Sequence, residues 1–65
     1  MNVEIGDKYY TRGKHPRLCT VVDVYKTYNS NGELVATKYV STHEFLGQIV
    51  TDYDVPKTTI LRGKA

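Results

Sequence analysis

The sequence predicts an all-β fold: one small domain, residues 1–65, with five short strands in a strongly curled antiparallel sheet or barrel around a long central hairpin. Three observations carry this. "LCTVVDVYKTY" (18–28) and "ELVATKYVS" (33–41) are dense in β-branched and aromatic residues and flank the turn-forming "NSNG" (29–32). No stretch of useful length repeats with helical period. The first long strand carries apolar groups on both faces, Val22 and Val24 against Val21 and Tyr25, so a flat sheet wetted on one side does not fit it.

Along the chain, "KYYT" (8–11) is a short strand entered through "IGD". In the hairpin, a four-residue loop at 29–32 pairs Tyr28 with Glu33, Asp23 with Lys38 and Val21 with Val40. That register matches opposite charges and packs valine on valine. A two-residue Asn31-Gly32 loop sets Asp23 beside Val40 instead and is the less favoured choice. "EFLGQIV" (44–50) is the next strand, with Gly47 at a bulge. A short helix over 42–48, capped by Thr42, ranks below it. "TDYDVP" (51–56) reads as a turn, because Pro56 cannot donate to a ladder and restrains Val55. "KTTILR" (57–62) is the last strand.

A chain this short buries only about 60% of the surface exposed on unfolding. The single cysteine, Cys19, excludes an internal disulfide, and two histidines with one thiol make no four-ligand zinc site. No metal and no cofactor is expected. The predicted core is Ile5, Tyr9, Val22, Val24, Tyr39, Val40, Phe45, Ile49, Val55 and Ile60, extended by self-association as a homo-oligomer. A lone reduced thiol fits a reducing, cytoplasmic setting. The N-terminal "MNVEIGDKYY" is too acidic and too poor in apolar residues for a signal peptide. No apolar run approaches the roughly 20 residues of a membrane helix, so a soluble protein with no membrane partner is expected.

Five strands, one long hairpin and a proline turn before the last strand resemble a small SH3-like barrel, in which closure removes exposed edges. The phrases "TRGKHPRLCTVVDV", "TYNSNGELV", "YVSTHEFLGQIV" and "DVPKTTILRG" resemble the short uncharacterised proteins of bacteriophages and prophages. That resemblance implies a bacterial cytoplasm, a mobile-element gene and an accessory or host-directed role. It implies no functional residues.

Net charge is +2, but its distribution is uneven. Lys8, Arg12, Lys14 and Arg17 fall within 8–17 without an acid, while 42–56 holds Glu44, Asp52 and Asp54 without Lys or Arg. The loop "TRGKHPR" (11–17) combines Gly13, Arg12, Lys14, His15 and Arg17. It reads either as a phosphate-binding loop or as a solvated turn shaped by Gly13 and Pro16. It lacks Walker spacing, and no helix follows it. The second "RGK" (62–64) is expected at the other end of the barrel, with Arg62 answering Glu4 and Asp7. Among six tyrosines, Tyr10 and Tyr28 are surface candidates beside cations, and Tyr53 is exposed near a turn.

His43-Glu44 and Asp52-x-Asp54 lack the convergent partners that catalysis or cation binding requires, and Cys19 reads as a buried small hydrophobe. No catalytic residue is assigned. The leading expectation is a non-enzymatic protein-interaction module that binds a host or phage protein and modulates a host factor. The alternative is a nucleic-acid or nucleotide-binding barrel. The binding candidates are Tyr10, Arg12, Lys14, His15, Arg17 and Tyr28.

Overall fold

The computed structural model describes residues 2–65. Its elements are β1 (Lys8–Tyr10), β2 (Leu18–Tyr28), β3 (Leu34–Phe45), β4 (Gln48–Pro56) and a helix, α1 (Lys57–Arg62). The strands form one antiparallel sheet in the order β1-β2-β3-β4. The fold is mainly β, as the composition predicts. It has four strands rather than five, and the sheet does not close into a barrel.

Three expectations for the C-terminal half are corrected. The segments 33–41 and 44–50 are not separate strands around a loop: β3 runs unbroken to Phe45, and Phe45 pairs with Gln48 across a two-residue turn. Leu46 (φ 51°) and Gly47 (φ 77°) supply the two positive dihedrals that such a turn requires. Leucine is not a turn residue, which hid the connection. The stretch 51–56 is strand and not turn, because Pro56 sits last on the outermost strand, where no second ladder needs the N–H that proline lacks. The stretch 57–62 is helix and not strand. Its threonines and isoleucine favour strand locally, but Pro56 ends the ladder, and Ile60 becomes fully buried when the chain turns back over the sheet.

The hairpin register also differs from the expected one. Asp23 lies opposite Val40 and not Lys38, Val21 opposite Ser41 and not Val40, and Tyr28 opposite Leu34 and not Glu33. The loop holds five residues, 29–33, rather than four, which moves every pair by one; a bulge between Thr27 and Tyr28 adds a second step, and one between Val21 and Asp23 takes it back. Asn29 organises the turn, its side-chain oxygen accepting from the backbone N–H of Asn31 (2.9 Å) and Glu33 (3.0 Å).

One face of the sheet holds the core. The paired residues Tyr9 and Cys19, Val21 and Ser41, and Tyr39 and Val55 are all buried there, and α1 covers them with Ile60. Tyr9, Tyr39, Val55 and Ile60 are buried as expected. Ile5, Val22, Val24, Phe45 and Ile49 are exposed, and Val40 is half-buried. The open sheet has no second layer to cover them. The Tyr9 and Ser41 hydroxyls satisfy each other at 2.6 Å.

The C-terminal residues 63–65 fasten the outer edge of β1. The Tyr10 N–H donates to the Gly63 carbonyl (2.7 Å), and the Ala65 N–H to the Lys8 carbonyl (3.0 Å). A Cβ at position 63 would overlap the Tyr10 carbonyl oxygen, so only glycine fits there. At the other end, β2 and β3 run on past their neighbours. The β4 ladder stops at Lys38↔Pro56, so residues 26–37 form a ribbon only two strands wide. The 42 Å long dimension of the molecule is close to the roughly 40 Å length of a twelve-residue strand.

Candidate functional site

The site lies where the sheet fails to close. β4 is hydrogen-bonded to β3 alone, and α1 bridges the gap by packing against β1, β3 and β4. Above the helix is a cleft of about 430 Å³. It is lined by Tyr9 of β1 and Thr11 just after it, by Asp52, Tyr53 and Asp54 of β4, and by Thr59 of α1. A second hollow of about 250 Å³ continues from it, lined by Tyr10, Thr11, Arg12, Thr59 and Arg62. Thr11 and Thr59 belong to both. The result is a groove with carboxylates at one end and guanidiniums at the other.

Each end has a local cause. At the acidic end, β4 carries one residue more than β3 between Tyr39↔Val55 and Ser41↔Asp52, which places Tyr53 and Asp54 at a bulge. Asp54 meets Lys38 at 3.5 Å, while the Tyr53 carbonyl accepts from the Tyr25 hydroxyl at 2.7 Å. At the basic end, the loop after β1 is closed by the Thr11 N–H donating to the Arg17 carbonyl (3.0 Å) and the Arg17 N–H to Thr11 Oγ1 (2.9 Å). Gly13, at φ 119°, makes the reversal. Among the described residues, neither Arg12 nor Arg62 has a carboxylate within salt-bridge distance.

The structure brings together only part of the predicted binding set. Tyr10 and Arg12 share the basic hollow. Lys14 and His15 stand exposed at the loop tip, outside it. Arg17 turns away and stacks over the Phe45 ring, 4.2 Å from its centroid. Tyr28 lies at the far end of the hairpin. Arg62 was expected near Glu4 and Asp7, at the opposite end from Arg12. Instead Lys64 answers Asp7 at 3.3 Å, and Arg62 joins Arg12. The recurrence of "RGK" at 12–14 and 62–64 was the available signal. It was obscured because a last strand at 57–62 would have carried Arg62 to the other end.

The remaining polar groups are dispersed. His43 is buried, with Nδ1 3.3 Å from Asp52 Oδ2, but the approach is too poorly aligned for a hydrogen bond and Nδ1 has no other partner. Glu44, the next residue on the strand, points to the opposite face and is exposed. Burial pushes the Cys19 thiol above its ordinary range, partly offset by the Tyr9 hydroxyl beside it, which disfavours the nucleophilic thiolate. Burial likewise raises Tyr9, against the hydrogen bond from Ser41. Asp7 is lowered, first by the Glu4 backbone N–H and then by Lys64. Among the described residues, no three His, Cys, Asp or Glu side chains converge as metal ligands, and no helix is long and apolar enough to cross a membrane. Comparison with family models, with curated proteins and with solved structures yields no match.

Proposed function

We propose that this chain is a non-enzymatic protein-interaction module, a phage-type accessory protein on an SH3-like sheet that binds a host or phage protein in the bacterial cytoplasm. The observation that carries the reading is the two-stranded arm. Tyr28, Leu34 and Val35 are each more than half exposed there, on a ribbon with no layer over either face. An isolated hairpin is marginal in water, and exposed apolar groups of this density mark interaction surfaces. The arm carries Lys26 and Glu33 and no net charge, which suits a protein better than a polyanion.

The test is capture from bacterial lysate with the wild-type chain and with a Tyr28→Ser/Leu34→Ser variant of unchanged circular dichroism. A defined protein captured by the first and lost by the second supports the reading. A second reading, nucleotide or nucleic-acid binding, is favoured by Tyr10, Arg12 and Arg62 sharing one hollow. Salt-sensitive retention on DNA or RNA that drops in Arg12→Ala/Lys14→Ala, with no captured protein, would replace the first reading by the second.

A further inference from the structure

We propose that the open edge of β4, with the groove beside it, takes an extended peptide segment of the partner protein as an added strand. The segment carries a basic residue toward Asp52 and Asp54 and an acidic residue toward Arg12 and Arg62. The inference rests on the interaction reading and assigns it a second surface, distinct from the arm.

Three observations converge on it. β4 is a nine-residue edge strand laddered to β3, and among the described residues none of its main-chain groups takes a backbone partner beyond that ladder; the Tyr53 carbonyl accepts from the Tyr25 hydroxyl. Such an edge is a template for another strand. The opposite edge of the sheet, β1, is already occupied by residues 63–65. β4 is therefore the edge left open at this seam.

The second observation is that the cleft is lined mainly by the free edge itself, Thr51 to Pro56, together with Tyr9, Thr11 and Thr59, and the adjoining hollow by Arg12 and Arg62. A strand laid along β4 thus runs past the carboxylates toward the guanidiniums. Ile49 and Tyr53, both 68% exposed on β4, offer it apolar contact.

The third observation is the polarity of the groove. Asp52 and Asp54 at one end, Asp54 already meeting Lys38 at 3.5 Å, and at the other two arginines with no carboxylate in reach among the described residues, match a segment of opposite and ordered charge. The same acids disfavour a second copy of this chain. Antiparallel pairing of β4 with its own copy about Asp52 or Tyr53 would bring like charges together. They also disfavour a nucleic-acid strand, whose phosphates would run past Asp52 and Asp54 as well as the arginines.

The test is titration of the full chain at low salt with synthetic eight-residue peptides of alternating valine and threonine. One carries a lysine at one end and a glutamate at the other, one only lysines, one only glutamates, and one no charge. The bipolar peptide is expected to bind about tenfold more tightly than the neutral one, as exposed charge contacts to Asp52, Arg12 and Arg62 allow. Amide exchange should slow along β4 and not along the arm. In Arg12→Glu/Arg62→Glu, with circular dichroism unchanged, the preference should move to the all-lysine peptide.

Equal binding of all four peptides would overturn the proposal. So would a preference unmoved by the charge reversal, or binding of an oligothymidylate in place of every peptide. If arm variants abolish lysate capture while Arg12→Glu/Arg62→Glu leaves it intact, strand addition fails and the interaction reading stands.

Discussion

Replacing Ile60 by alanine isolates what holds the helix, and with it the cleft, in place. α1 has six residues, far short of the roughly 12–15 at which an isolated helix becomes even marginal in water. Pro56 provides no side-chain cap, and no acid sits in the first turn. Docking of Ile60, with none of its surface exposed and the one buried residue of the helix, is left to hold it, together with the pairing of residues 63–65 along β1. Truncating a buried isoleucine to alanine costs about 2–5 kcal/mol. A chain of 65 residues has a stability of about 3–10 kcal/mol in all.

Ile60→Ala should therefore lower the urea midpoint sharply, and the melting temperature by roughly 15–35 °C. Unfolding can be followed by tyrosine fluorescence, since the chain has six tyrosines and no tryptophan. Ile49→Ala, at an exposed position, should change stability by no more than about 0.5 kcal/mol. If Ile60→Ala costs less than about 1 kcal/mol, or no more than Ile49→Ala, the helix is not held by its buried isoleucine.

Tyr9→Phe should cost about 1–3 kcal/mol by stranding the Ser41 hydroxyl, and adding Ser41→Ala should recover part of that loss; purely additive costs in denaturant titrations would refute the pairing. Leu46→Asn should stabilise by about 1 kcal/mol, because leucine at φ 51° is strained and asparagine tolerates that region; a lower urea midpoint would contradict the turn. Alkali should destabilise the fold. Cys19 and Tyr9 are both raised from ordinary values of 9.0 and 10.0, so their neutral forms favour the native state. That stability is present below about pH 9 and is lost as pH climbs through the raised values. In Cys19→Ala the decline should begin about one pH unit higher, at the onset of tyrosine ionisation, and an unchanged onset would contradict the assignment.

Much of the first half of the fold was legible in local chemistry. Lys8–Tyr10 and Leu18–Tyr28 announce themselves by composition, and Asn29 and Gly32 mark the turn between long strands. The register was not legible, because neither a fifth loop residue, Glu33, nor a surplus strand residue such as Val22 or Val35 leaves a compositional trace. The second half misled for a related reason. Leu46 makes a turn without looking like a turn residue, and Thr58, Thr59 and Ile60 make a helix without looking like helix formers. In both places long-range packing outweighs local preference. Of the candidate site, residue type and spacing point to Tyr10 and Arg12. A strand over 57–62 sets Arg62 apart from them and a turn over 51–56 leaves Asp52 and Asp54 in solvent, whereas the helix and the longer β4 bring these residues to the groove.

The irregularity at Val22 makes one deletion unlike its neighbours. Strands alternate inward and outward, so losing a residue from the regular part of β2 would turn everything beyond it inside out. Val22 is the surplus member of its ladder, with Val21 already matched to Ser41 and Asp23 to the adjacent Val40. Excising it would leave both matches intact and straighten the ribbon, re-aiming the arm relative to the sheet while sparing the core.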